Sequence, residues 1–128
     1  MRQALRTIFC LLLILFCASP NAAPQPVEVD VVMVDYKFIP DHLTFEHGVL
    51  YRLHLENHGK ETHEFTAPTF FATADIQNRE VLSNEGTEIL LQPGDSKDIL
   101  LTTRRTGTFD LTCADHDWFG MVGGITVK

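Results

Sequence analysis

Thr108-Phe109-Asp110-Leu111-Thr112-Cys113 alternates apolar and polar side chains, then runs into Ala114-Asp115-His116-Asp117-Trp118-Phe119-Gly120-Met121. A period of two is that of a strand with one buried face. Phe109, Leu111 and Cys113 share that face, so Cys113 enters the interior wherever the other two do. The following loop adds an imidazole at His116, with two residues between it and the thiol, and a thioether at Met121, with four residues between it and His116. Thiolate, imidazole and thioether together favour a soft transition metal, copper above all.

Outward from this stretch, the chain reads as more strands. Val122 to Val127 closes the sequence. Upstream, Ser96 to Thr103 and Thr87 to Leu91 flank the turn Gln92-Pro93-Gly94-Asp95, and Arg104-Arg105-Thr106-Gly107 turns again. Val27 to Val34 places Val27, Val29, Val31 and Met33 on one face, and in Val49 to Asn57 Tyr51, Leu53 and Leu55 alternate with Arg52, His54 and Glu56. Lys37 to Phe45 reads as short extended pieces broken at Ile39-Pro40-Asp41, and His63 to Ala67 as a short strand stopped by Pro68. The region 69–86 is the least strand-like. Phe70, Phe71, Ala74 and Ile76 are read there as one side of a short helix capped by Thr69 or Thr73, or as an irregular insertion. About seven or eight short strands with regular turn signals predict an all-β fold, a Greek-key antiparallel β-sandwich in a single domain.

A second imidazole comes from His63. It shares a strand face with Phe65, leaving Glu64 opposite. Singly, each donor has an ordinary explanation: Cys113 as a small buried apolar residue, Met121 as core, His63 as a satisfied core histidine, His116 as solvated between two aspartates. Together, on the core faces of two strands and at this spacing, His63, Cys113, His116 and Met121 predict one metal site. Two imidazoles and a thiolate with a long, weak thioether bond describe a blue-copper centre, and zinc in a purely structural role is the competing metal. His42, His47, His54 and His58 are surplus to it and are expected at exposed strand and turn positions. Two of them converging with an acidic residue would make a weak second copper site.

The N-terminus reads as a signal peptide, residues 1–23. Arg2 and Arg6 precede an apolar run from Ile8 to Ala18, and Ser19-Pro20-Asn21-Ala22-Ala23 is small and turn-prone. The run falls short of the roughly 20 apolar residues that span a bilayer, and bulky Phe16 argues against a lipid anchor at Cys17. The chain has three cysteines. Cys10 and Cys17 leave with this segment, so residues 24–128 keep Cys113 alone, a thiol that metal binding explains in an oxidising, periplasmic setting. Ten basic residues against seventeen acidic ones, a formal net charge of −7, exclude a nucleic-acid surface. The same balance suits a soluble monomer steered toward a basic docking face.

These residues resemble the cupredoxins, the small blue copper proteins that include plastocyanin, pseudoazurin and amicyanin. The resemblance covers the chain after the signal segment. Leu55-Glu56-Asn57-His58-Gly59 with His63-Glu64-Phe65 resembles the family's first-ligand region, Pro93-Gly94-Asp95 its late hairpin, and Gly107 to Val127 its C-terminal signature. It implies equatorial His63, Cys113 and His116, axial Met121, one type 1 copper ion and no enzymatic role. It also implies one-electron transfer to a redox partner protein, or tolerance, storage or delivery of copper with a copper-handling partner. Several members carry Asn directly after the first histidine, where it ties two loops together. Here Glu64 stands there, as a residue behind the ligands, a surface charge or an oxygen ligand. Four protein ligands would leave no open position for a substrate. The resemblance likens Asp115-His116-Asp117-Trp118 to periplasmic members linked to copper tolerance. Trp118, Phe119, Phe70 and Phe71 are candidates for a docking patch or for core, and Gly123-Gly124 for a tight backbone path beside the metal loop.

Overall fold

The computed structural model describes residues 23–128. The segment read as a signal peptide lies, Ala23 apart, outside the described residues. Ten strands follow: β1 (Val27–Val34), β2 (Lys37–Ile39), β3 (His42–Phe45), β4 (Leu50–Asn57), β5 (His63–Thr66), β6 (Ala74–Ile76), β7 (Glu88–Leu91), β8 (Ser96–Thr103), β9 (Gly107–Thr112) and β10 (Val122–Val127). One helix, α1 (Pro68–Thr73), lies between β5 and β6. The strands make two five-stranded sheets, ordered β2-β1-β4-β8-β6 and β3-β10-β9-β5-β7. The mostly-β sandwich is as the alternation predicts. The strand count is higher because Lys37–Phe45 divides between the two sheets and Ala74–Ile76 is a strand.

The pairing is not wholly antiparallel. β1 pairs β4 in parallel, and β3 pairs β10 in parallel. Parallel neighbours need a crossover between them. For β1 and β4 the chain supplies it by leaving the first sheet after β2, adding β3 to the second sheet, and returning.

Alternation explains the core. Val31 and Met33 of β1, Tyr51, Leu53 and Leu55 of β4, Ile99 and Leu101 of β8, and Phe109 and Leu111 of β9 are buried in one cluster. Arg52, His54 and Glu56 of β4 point the other way, each partly exposed. Aromatic contacts bind the layers. The Phe65 ring lies 5.9 Å from Phe38 and 6.0 Å from Phe71, and Phe70 lies 5.4 Å from Phe45 and 5.7 Å from Phe109. Phe70 and Phe71 are therefore core, not docking residues. Rings in edge and tilted contact add to their area burial, and Phe65 anchors β5 two residues from His63.

The helix begins two residues earlier than a cap at Thr69 would place it. Pro68 occupies its first turn after Ala67, and no side chain caps it. Proline suits that position because the first-turn N–H has no partner within the helix. Thr69 and Thr73 lie inside instead, Thr73 Oγ1 donating to the Thr69 and Phe70 carbonyls at 3.0 and 3.1 Å. Ala74 and Ile76 are not on the helix; they pair with Thr103 and Leu101 at the edge of the first sheet. Among the described residues no helix is long and apolar enough to cross a membrane.

Candidate metal centre

β5 and β9 are paired at Thr66 and Thr112, and beyond that pair their ends lie beside each other. This brings His63 and Cys113 together, both without solvent exposure. Cys113 Sγ lies 3.8 Å from His63 Nδ1 and 3.3 Å from His116 Nδ1. Among the described residues, His63, Cys113 and His116 are the one group of histidine, cysteine and acidic donors with ligand atoms all within 4.8 Å of one another.

Backbone bonds shape the loop that carries His116 and Met121. His116 N–H donates to the Cys113 carbonyl at 3.1 Å, turning the chain back. Met121 N–H donates to the His116 carbonyl at 3.2 Å, and Cys113 N–H to the Met121 carbonyl at 3.0 Å. Met121 is thus held by its backbone to both of the other loop donors, and its side chain is fully buried. Gly123 lets β10 pass close by, since a Cβ there would fall on the Asp41 carbonyl oxygen.

Behind the donors stand residues with no local signature in the sequence. Asp35 follows β1, and its Oδ1 lies 3.2 Å from His63 Nε2 while accepting Lys60 N–H at 2.8 Å and Glu61 N–H at 3.2 Å. Those contacts, the Lys60 N–H foremost, hold the Asp35 carboxyl below its ordinary value. A carboxylate can only accept, so His63 carries its proton on Nε2 and leaves Nδ1 free toward the sulfur. Asn57 is buried and fastens the segment leading to His63. Its Nδ2 donates to the Glu61 and Leu91 carbonyls at 2.9 and 3.0 Å, and its Oδ1 accepts Gly59 N–H at 2.9 Å. Its one signal in the sequence is its place in Leu55-Glu56-Asn57-His58-Gly59, the stretch that resembles the family's first-ligand region. Gly59 is required by proximity, because a Cβ there would meet Asp35 Oδ1 and come within 2.9 Å of His63 Nε2.

Glu64 is neither a surface charge nor a member of the donor group. It is buried, Cys113 Sγ–H donates to its Oε2 at 3.0 Å, and Asp115 N–H donates to the same oxygen at 3.3 Å. Alternation aims it away from His63, yet the loop past Cys113 folds over that side and encloses it. Its backbone N–H also points at the sulfur, 3.4 Å away. Burial pushes the Cys113 thiol up to about 12, with the bond to Glu64 and its charge adding to the rise. The free thiol therefore stays protonated in neutral solution, and metal binding must displace that proton.

His116 alone of the buried-end donors is partly exposed. Its ring meets Tyr36 edge-on at 5.2 Å and Phe119 at 6.4 Å, and Tyr36 and Phe119 stack at 4.6 Å. Trp118 lies 3.6 Å from Phe119 and is 73% exposed.

A family model described as a cupredoxin-like domain matches residues 7–127. The chain belongs to the cupredoxin-like family. Solved structures agree on the fold. Auracyanin B superposes on this cupredoxin with a TM-score of 0.60 at 19% identity, over 83% of this chain and 92% of its own. A reduced auracyanin from Roseiflexus castenholzii gives 0.62 at 16%, over 82% and 99%. A multicopper oxidase from Campylobacter jejuni, described as a metallo-oxidase, gives 0.59 at 14%, over 84% of this chain but 31% of its own. No curated protein matches the sequence. The cofactor of the family is one copper ion, and the donors here fit it: a thiol and two imidazole nitrogens gathered at a buried point, with a buried thioether alongside.

Proposed function

We propose that this cupredoxin is a one-electron carrier whose copper is held by His63, Cys113 and His116, with Met121 as the weak axial ligand. The gathering of a buried thiol and two imidazole nitrogens within 4.8 Å, one imidazole reaching the surface, carries the reading. Copper so held supplies a Cu(I)/Cu(II) couple. The chain's part is to keep the donors still while charge changes. His63 is held by Asp35 and by the Asn57 bonds in front of it. Cys113, His116 and Met121 are tied to one another through their backbones. A closed set of four donors has no place for a substrate, which supports a carrier over an enzyme.

His116 is the electron port in this reading, since its ring joins the buried donors to an exposed aromatic cluster of Tyr36, Trp118 and Phe119. Asp115 and Asp117 flank the cluster. A redox partner suited to it has an apolar spot rimmed by lysine or arginine. Residues 1–23 act as a secretory signal in this proposal, and the periplasm is the working compartment.

The test is optical. Copper(II) added to the purified domain should give an intense thiolate-to-copper band in the visible, and Cys113→Ser should abolish it. A colourless wild-type complex refutes the blue-copper assignment. Stopped-flow reduction then separates a carrier from a copper store: a carrier exchanges electrons fast and reversibly without losing its copper.

A further inference from the structure

We propose that His54, Glu56 and His58 form a second metal site, specific for a borderline divalent cation such as Cu²⁺ or Zn²⁺, with Asp98 orienting His54. It lies on the outer face of the first sheet, apart from the buried centre. In the pattern His-x-Glu-x-His, strand alternation puts His54 and Glu56 on the same face of β4, and His58, the first residue past the strand, reaches the same carboxylate.

Both imidazoles end on one carboxylate. His54 Nε2 lies 3.0 Å from Glu56 Oε1, and His58 Nε2 lies 2.6 Å from Glu56 Oε2. The other ring nitrogen of His54, Nδ1, meets Asp98 Oδ1 at 2.5 Å. Asp98 is the cross-strand partner of His54 on β8. A carboxylate on the far nitrogen is the usual support of a metal-bound histidine, since it sets the tautomer and raises the basicity of the ligating atom. Here it leaves Nε2 as the ligating atom, facing Glu56.

As they stand, the donors are strung along Glu56, not gathered on a point. Metal–ligand bonds of about 2.0–2.2 Å put neighbouring donors on one ion about 3–3.5 Å apart. The two N···O separations are already close to that. Closing the site needs rotation of His58 and Glu56, whose side chains are 58% and 37% exposed, around His54, which is 22% exposed and held by Asp98. The surroundings favour a cation: Asp30 is in register with His54 on β1, and nearby Arg52 is engaged by Glu28 and Asp98 at 3.3 and 3.4 Å. Without thiolate or thioether the site does not share the soft preference of the buried centre.

The test titrates Cu²⁺ into the copper-loaded protein, followed by equilibrium dialysis and electron paramagnetic resonance. The wild type should bind one Cu²⁺ more than the His54→Gln/His58→Gln double variant, with a tetragonal nitrogen–oxygen signal. Glu56→Gln should weaken that binding at least tenfold, and Asp98→Asn about 10- to 100-fold. His42→Gln should leave it unchanged. All these positions are exposed or partly exposed, and a single cooperative urea transition certifies each variant as folded. The proposal is overturned if the double variant binds as much Cu²⁺ as the wild type with equal affinity, or if the extra signal survives both Glu56→Gln and the double substitution. Because the site is read as a difference between variants that keep Cys113, its failure is distinguishable from failure of the blue-copper assignment.

Discussion

Asp35 Oδ1 sits 3.2 Å from His63 Nε2, joining the turn after β1 in one sheet to the first histidine of the other. The bond fixes both the ring plane and the tautomer of His63. Asp35→Ala should lower copper affinity about 10- to 100-fold, the usual cost of losing such a support. Asp35→Asn, which keeps an oxygen there, should recover much of it. Competition with a copper chelator measures both, and equal affinity in Asp35→Ala and wild type would sink the idea. Gly59→Ala acts on the same contact by crowding, at about 1–3 kcal/mol of stability.

Cys113 and Glu64 share a hydrogen bond that favours the protonated thiol. Burial is the larger cause of the rise to about 12, and Glu64 adds its bond and its charge. Glu64→Gln removes the charge, so the thiol should titrate at lower pH in the metal-free protein. Ultraviolet absorbance of the thiolate follows this directly. A titration curve that does not move toward acid would mean that Glu64 exerts no such control.

Asn57 makes three side-chain bonds in a buried setting. At about 1 kcal/mol each, with a further cost for carbonyls left unpaired, Asn57→Ala should destabilise the fold by roughly 2–4 kcal/mol. The denaturant midpoint reads the loss. Because these bonds hold the segment ahead of His63, copper affinity should fall as well. A loss under 0.5 kcal/mol (roughly, the range of neutral surface changes) would contradict the assignment.

His54 should make stability depend on pH. Its bonds to Asp98, and then to Glu56, raise it above the ordinary 6.5. The protonated imidazole therefore stabilises the fold fully below pH 6.5, and the gain is lost as pH rises through the higher folded value. Glu56 is held below its ordinary 4.5 by His54 and His58. Its contribution is present above 4.5 and is lost as pH falls through the lower folded value. The stability gap between wild type and His54→Gln should accordingly be widest between about pH 4.5 and 6.5 and should shrink above that range. Urea midpoints across pH in the metal-free protein test it, and a gap independent of pH would refute it.

The sequence by itself singled out His63, Cys113 and His116, which the fold brings together, and determined most of the strands. Both follow from local rules: strand side chains alternate, and the Cys113–Met121 loop is short enough for its own backbone bonds to close it. Tertiary structure alone decided what supports the donors. Asp35 reaches His63 because two sheets pack face to face. Glu64 is buried because the loop folds over a side that alternation marks as outward. The parallel pairs β1–β4 and β3–β10 depend on which sheet each half of Lys37–Phe45 joins, and the edge strand Ala74–Ile76 exists because β8 offers it a partner. Periodicity says which way a side chain points from its own strand; what stands opposite is set by contacts between residues distant in the chain, and no local pattern encodes them.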